Sequence, residues 1–204
     1  MRLSRLLPIY LALLLVHGSK GQPAVLQWDV SRANIRANAC RFYVGDIILF
    51  KDHTEVCRIP PPRLIDLSEG TAALPVSPEC PGDFNRIVFS LGIDSLTNAG
   101  GVMGGDLDPA NGMYWTWQSG YINFKLETDS PAKRFHIGGY RRPYDSLRKV
   151  DLVLPEGKNS IITFDIDRFL ESVPDTVPSD VMSPGPNACL LADRIVAAFI
   201  TNKR

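Results

Sequence analysis

Histidine is scarce in this chain of 204 residues, which contains only three. His17 lies in an apolar N-terminal segment, so the remainder of the chain holds only His53 and His136. Conventional transition-metal sites draw several nitrogen ligands from imidazole. The histidines alone therefore exclude a multi-histidine metal site.

An excess of charge of either sign is also missing. Lysine and arginine number 22, aspartate and glutamate also number 22, and the formal net charge at pH 7 is zero. Nucleic-acid binding calls for a basic stripe that matches the phosphates. Basic residues cluster only locally, at Lys133, Arg134, Arg141 and Arg142, in a pattern typical of a solvated loop. We expect no nucleic-acid partner.

No Cys-x-x-C motif occurs, which argues against a structural zinc site. The four cysteines are Cys40, Cys57, Cys80 and Cys189. An even number in an exported chain favours disulfides. Four cysteines can form two disulfides in three ways. In one of them, a Cys40–Cys57 bond would close the first hairpin, and a Cys80–Cys189 bond would tie a central loop to the C-terminal segment. We expect all four cysteines to be oxidised.

The chain also lacks an apolar run long enough to cross a membrane as a helix. Arg2 and Arg5 precede an apolar run over residues 6–16, and small residues follow, which is the pattern of a secretory signal peptide. We predict a signal peptide over residues 1–21 and a single domain over residues 22–204. Removal of the signal peptide would take away three basic residues and no acidic residue. The mature protein would then be periplasmic or secreted and would have no membrane span.

Catalytic motifs are absent too: there is no nucleophile elbow, phosphate loop or haem-attachment motif. Asp106 and Asp108 begin an EF-hand-like string, but Ala110 stands where an oxygen ligand is needed, so a turn-capping role is expected. Asp165 and Asp167 alternate on a predicted strand, as a carboxylate pair or as part of a solvated face. We expect a binding protein rather than an enzyme.

What the chain does contain is a series of short strands separated by turn residues. Alternating or apolar runs predict strands over residues 40–50, 54–59, 63–67, 86–93 and 133–140, and a hairpin formed by residues 150–154 and 160–167. Asn187 can cap a C-terminal helix over residues 188–201. This order predicts an all-β fold, an antiparallel β-sandwich with a C-terminal helix.

Residues 104–127 carry the most unusual composition, since turn formers lead into a run rich in aromatic residues. Trp115 and Trp117 share one parity, and Ile122, Phe124 and Leu126 share the other, so a bulge or bend at Ser119-Gly120 would bring both sets onto one face. A hairpin centred near Ser130 would place His136 opposite Phe124, on that same face.

This run, Met113 to Glu127, with the preceding DLDPANG and the downstream FHIGG, resembles the MbnP-like copper-binding domain family over about residues 37–168. The resemblance implies copper as the bound ion and a tryptophan oxidised to kynurenine by a partner di-haem peroxidase. Trp115 and Trp117 match the family motif, and His136 matches the histidine of its FH-L-G motif. Met113 adds a soft sulfur ligand.

Two family features are missing. An Asn-His pair expected before the tryptophan strand reads Asn98-Ala99, and a Ser-Thr-Gly-Cys expected after FHLG is replaced around Tyr140. Met103, Met113 or Asp106 would have to complete a copper site. The resemblance implies copper acquisition, transport or storage. The alternatives are a non-metal sandwich whose exposed tryptophan pair serves as a platform for sugar or peptide, and a family fold without a site.

Overall fold

A computed structural model describes residues 25–31, 35–60, 62–77, 79–80, 82–116, 118–155 and 160–203. The predicted signal peptide and Trp117 lie outside these residues. The strands are β1 (Val25–Ser31), β2 (Ala37–Lys51), β3 (Thr54–Ile59), β4 (Arg63–Asp66), β5 (Thr71–Pro75), β6 (Arg86–Leu91), β7 (Tyr114–Thr116), β8 (Gly120–Asp129), β9 (Ala132–Gly138), β10 (Arg148–Val153), β11 (Ser160–Asp165), β12 (Asp180–Val181) and β13 (Phe199–Lys203). The helices are α1 (Ser95–Ala99), α2 (Ile166–Glu171) and α3 (Pro186–Ala197).

The strands form two sheets that curl into a β-sandwich, so the predicted fold class is confirmed. The smaller sheet has the order β13-β11-β1-β5, and the larger one contains β10-β6-β2-β8-β9-β12 with β3 and β4 on β2. Two pairs, β1 with β11 and β12 with β9, are parallel, which makes the sheets mixed rather than purely antiparallel.

The long strand β2 organises the larger sheet. Its first half pairs with β8 and β4 on opposite edges, and its second half pairs with β6 and β3. Because Val44 pairs with both β4 and β6, and Phe42 with both β4 and β8, strands β8 and β6 lie end to end on one edge of β2.

The main core lies between the sheets and is rich in aromatic residues. Trp28 meets Phe42 and Phe89 edge to face, and Phe124 meets Phe164 in the same way. Full burial of such a side chain contributes about 1.5–3 kcal/mol. Alternation along β2 and β8 turns Phe42 and Phe124 into this core and sends their sequence neighbours to the outer face of the larger sheet.

A second, smaller cluster covers part of that outer face. It contains Tyr43, Ile93, Leu107, Met113, Tyr121 and Ile122. The segment that covers it, residues 94–112, holds helix α1 and two short 3-10 helices, Gly105–Leu107 and Pro109–Asn111. Asp94 caps α1 and the side chain of Asp108 caps the second 3-10 helix, which confirms the capping role expected of Asp108.

The tryptophan run is not one continuous strand. β7 turns back on β8, with Tyr114 opposite Tyr121 and Thr116 opposite Gly120. Gly120 has φ +74°, a left-handed conformation that suits glycine. The predicted bend is therefore present as a tight reversal rather than a bulge. It does not bring both apolar sets onto one face, because Phe124 and Leu126 lie in the main core whereas Trp115 packs against the second cluster.

One predicted connection is wrong. Strands β10 and β11 do not form a hairpin, since β10 pairs with β6 and β11 pairs with β1 and β13 in the other sheet. The predicted C-terminal helix is present but has other limits: it begins at Pro186 and ends at Ala197, after which the chain enters β13. Asn187 lies inside this helix, whose N-cap residue is Gly185. Asp165 caps α2 through the backbone N–H of Arg168, which breaks its predicted strand alternation with Asp167.

The disulfide prediction is also wrong in part. Cys57 is bonded to Cys80, whereas Cys40 and Cys189 carry thiols. Cys57 stands opposite Leu49 of β2, nine residues from Cys40, or about 30 Å along an extended strand, so Cys40 cannot bridge to it.

Candidate functional site

The register of the β8–β9 hairpin decides where His136 lies. Its turn is the two-residue Ser130-Pro131, with Asp129 opposite Ala132, so His136 stands opposite Lys125 rather than Phe124. Its side chain therefore shares the outer face with Lys125 and Glu127. The predicted placement on the face of Phe124 and Leu126 is wrong, because a shift of one residue in pairing moves a side chain to the other face.

On that outer face His136 contacts a carboxylate. Its Nε2 lies 2.7 Å from Oε1 of Glu127, and Nζ of Lys125 lies 3.4 Å from the same oxygen. His136 is 7% exposed, whereas the side chain of Glu127 is 32% exposed, so the imidazole is shielded from water and the carboxylate reaches the surface. Glu127 is a diagonal cross-strand neighbour of His136, at the distance where long side chains meet.

The electrostatics fix the protonation of the pair near neutral pH. Burial lowers the pKa of His136, although the hydrogen bond to Glu127 partly opposes this. Burial would raise the pKa of Glu127, but the hydrogen bond with His136 and the charge of Lys125 lower it overall. The pair is therefore a neutral imidazole beside an ionised carboxylate.

This protonation selects one tautomer of the imidazole. An ionised carboxylate can only accept hydrogen bonds, so Nε2 of His136 must carry the proton. Nδ1 then holds an unshared electron pair, and within the described part of the chain no hydrogen bond reaches it. A histidine held by a carboxylate at one nitrogen and open at the other has the arrangement found in metal-binding histidines.

Trp115 lies on the same side of β9. A Cβ built on Gly138 would stand 2.7 Å from Cζ3 and 3.1 Å from Cη2 of Trp115. Gly138 and His136 are alternate residues of β9 and face the same way. The six-membered ring of the indole thus covers the outer face of β9 two residues from His136. Trp115 is partly buried against the second cluster and offers no open platform.

The other predicted ligands lie in varied surroundings. Met113 is fully buried in the second cluster, and its carbonyl accepts the N–H of Ile122. Met103 is 40% exposed. The carboxylate of Asp106 accepts the backbone N–H of Leu64. His53 is exposed in the turn between β2 and β3, which pair at the end of β2 away from β8.

Asn98, which occupies the position of the family's asparagine, has a structural role. Its Nδ2 donates to the carbonyls of Ile93 and Asp94, and its Oδ1 accepts the N–H of Tyr121. Asn98 thereby joins α1 to the start of β8. Ala99, where the family has histidine, is exposed.

Glu127 was missed as a functional candidate. The alternation of Lys125 and Glu127 with Phe124 and Leu126 is visible in the sequence and places both charges on one face. Only the correct hairpin register adds His136 to that face.

No group of three or more His, Cys, Asp or Glu side chains within metal-binding reach occurs among the described residues. A metal at His136 and Glu127 would need another kind of ligand.

The comparisons with known proteins agree with this architecture. A family model described as MbnP matches residues 9–183. The chain belongs to the MbnP family. Its structure is similar to that of MbnP from Methylosinus trichosporium, with a TM-score of 0.53 and 14% sequence identity over 83% of each chain. At this identity the likeness to the solved MbnP structure shows the fold alone. No curated protein sequence matches the chain.

The MbnP match extends beyond the predicted limits of about residues 37–168 at both ends. Among the residues that the structure describes, none of the helices has the length and apolar character needed to cross a membrane.

Proposed function

We propose that this MbnP-family protein is exported to the periplasm or secreted, and that it binds copper for acquisition, transport or storage. It acts as a binding protein rather than an enzyme, with copper as its cargo. The disulfide between Cys57 and Cys80 supports a location outside the reducing cytoplasm.

The observation that carries the proposal is the bond between Glu127 and His136 at 2.7 Å. It orients the imidazole, keeps the proton on Nε2 and leaves Nδ1 as a ligand atom, while burial keeps the ring neutral. Metal binding requires a deprotonated ligand nitrogen, so this histidine needs no proton release near neutral pH. Imidazole nitrogen is a ligand type that copper accepts in both oxidation states.

A single histidine does not complete a copper site, and we assign the second ligand to an oxidised tryptophan. Trp115, or Trp117 two residues on, would become kynurenine, whose aryl amine and ketone supply the donor atoms that indole lacks. The position of Trp115 against Gly138 supports its assignment, because it keeps the ring on the His136 side of β9. A di-haem peroxidase is the partner that would carry out this oxidation.

Met113 is the remaining predicted ligand. Its thioether would suit Cu(I) rather than Cu(II). The side chain is enclosed in the second cluster, so its participation would require the Tyr114–Thr116 strand to move. His136 and the modified tryptophan are therefore the principal ligands of the proposal.

The test begins with protein purified from its native host. Its intact mass and absorption spectrum report both bound copper and tryptophan oxidation. Copper titrations on modified and unmodified protein should show tighter binding by the modified form, and His136→Ala should abolish the difference. His53→Ala is the matched control and should leave it nearly unchanged. Equal affinity of both forms, or no loss on His136→Ala, would overturn the proposal.

A further inference from the structure

A pocket of about 170 Å³ lies beside the turn that joins β7 to β8. Its lining consists of Gln118, Ser119, Gly139, Tyr140, Arg141, Arg142, Tyr144 and Pro184. The lining contains two guanidinium groups, two phenols, an amide and a hydroxyl, but no carboxylate. A lining so rich in hydrogen-bond donors and positive charge favours the binding of an anion.

The two arginines are unpaired with acids, unlike several others in the chain. Arg41, Arg86 and Arg148 each make an ion pair with an aspartate. Within the residues that the structure describes, no carboxylate comes within salt-bridge distance of Arg141 or Arg142. Their charges are thus available to a ligand.

The loop that presents these arginines is held in place at several points. The N–H of Tyr144 donates to the carbonyl of Arg141 at 2.9 Å, and the N–H of Ser146 donates to the carbonyl of Gly139 at 3.0 Å. The hydroxyl of Ser146 in turn accepts from the buried amide of Asn123 at 2.9 Å.

The pocket wall is fixed as well. The ring of Tyr140 packs against Gly120, where a Cβ would stand 3.0 Å from two of its ring atoms. The guanidinium of Arg141 stacks over that same ring, 5.0 Å from its centroid. A stacked guanidinium on an anchored ring loses less freedom on binding than a solvated side chain does, which favours ligand binding.

We infer that this pocket binds a carboxylate-bearing organic anion through Arg141 and Arg142. The planar guanidinium matches a carboxylate with two parallel hydrogen bonds. The aromatic walls formed by Tyr140 and Tyr144 suit the carbon skeleton of an organic ligand. Basic residues cluster only locally in the sequence, so the chain lacks the basic stripe that a polyanion such as nucleic acid would need. This inference is independent of copper binding at His136.

Calorimetric titration tests the inference with three probes: succinate, a short peptide containing a Glu-Glu pair, and inorganic phosphate. Succinate or the peptide should bind saturably to the wild-type protein. Arg141→Gln and Arg142→Gln should each weaken that binding about tenfold or more, since a hydrogen bond to a charged group contributes that much. Arg168→Gln removes an exposed arginine on α2 and serves as the charge-matched control.

The relative affinities of the two carboxylate probes identify the source of the ligand. Tighter binding of succinate indicates a free small molecule, and tighter binding of the peptide indicates an acidic side chain of a partner protein. Unfolding temperatures of all variants, which should remain equal, separate loss of binding from loss of fold. Three results would overturn the inference: no saturable binding of either carboxylate probe up to a few millimolar, equal weakening by Arg168→Gln, or a preference for inorganic phosphate.

Discussion

Glu127 and His136 face each other across the β8–β9 hairpin, with Oε1 2.7 Å from Nε2. The carboxylate comes from a strand whose opposite face, at Phe124 and Leu126, forms the main core. The position of the imidazole therefore depends on a strand that the core holds in place. This relationship ties the proposed ligand to the fold itself.

The first prediction concerns the tautomer of His136. Nitrogen-15 NMR of the imidazole near neutral pH should show a neutral ring with the proton on Nε2, because the ionised Glu127 can only accept. Glu127→Ala should lose this preference. It should also weaken copper binding about 10–100-fold, the usual effect of removing the group that orients a ligating histidine.

Glu127→Gln provides a graded variant, since its amide oxygen can still accept from Nε2 and only the charge is lost. We expect it to fall between the wild-type protein and Glu127→Ala. Glu69→Ala removes an exposed glutamate from a turn and should change neither measurement. A proton on Nδ1 in the wild-type protein would contradict the assigned tautomer.

The second prediction concerns Gly138, which leaves space for the indole of Trp115. An added Cβ would stand 2.7 Å from Trp115 and equally close to the carbonyl oxygen of Tyr121. Because one of these neighbours is backbone, Gly138→Ala should destabilise the protein by about 1–3 kcal/mol, the usual cost of overpacking. Denaturant unfolding measures this change, and tryptophan fluorescence should report the displaced indole.

Gly82→Ala is the control for this substitution, since a Cβ there meets nothing within 4 Å. It should leave the stability nearly unchanged. Equal stability of the two variants would show that Trp115 does not pack on Gly138 in solution.

The third prediction concerns the cysteines. Thiol titration of the denatured, unreduced protein should find two thiols, from Cys40 and Cys189. In the native protein only Cys189 should react quickly, because Cys40 is fully buried. Replacing Cys57 and Cys80 by serine should cost about 2–4 kcal/mol, since the bond closes a long loop of the unfolded chain. Detection of no thiols or of four would contradict this pairing.

The fourth prediction concerns Asp94, which caps α1. This short helix carries Asn98, whose Oδ1 accepts the N–H of Tyr121 next to Gly120. Burial would raise the pKa of Asp94, but hydrogen bonds from Thr97 and Leu96 lower it overall from the ordinary value of 3.8. A carboxyl with a lowered pKa in the folded state stabilises the protein above its unfolded pKa and loses that effect as pH falls. Asp94→Ala should cost about 0.5–2 kcal/mol at neutral pH.

The difference between Asp94→Ala and the wild-type protein should shrink as the pH falls below 3.8. Denaturant unfolding at several pH values measures it, with Asp175→Ala, an exposed aspartate, as the control. A cost that stays constant through this range would mean that the carboxylate charge has no part in the cap.

At the hairpin around Ser130, sequence patterns predicted the strands but not the face on which His136 lies. Aromatic and β-branched residues indicated both strands, and alternation separated Lys125 and Glu127 from the core side chains. The face of His136 depended on whether the turn was centred on one residue or on two. Side chains alternate with a period of two, so this small difference reversed the face and hid the contact with Glu127.

The pairing partners of the cysteines and of strands β10 and β11 also could not be predicted from the sequence. Neighbouring strands along the chain pair often, which favoured a local hairpin between them and a bridge between Cys40 and Cys57. In the structure β10 and β11 enter different sheets, since β10 pairs with β6 and β11 lies between β13 and β1. These partners are distant in the sequence, so local patterns do not indicate them.

Local patterns alone determined that this chain forms short strands closed by turns, that Asp108 caps a turn, and that its aromatic run belongs to the MbnP pattern. Those features depend on residues within a few positions of one another. The tertiary structure decided the partner of Cys57, the neighbour of Trp115 and the carboxylate on His136. Each of these contacts joins residues on different strands or loops, and their meeting depends on register and sheet order, which the whole core sets by burying its apolar faces.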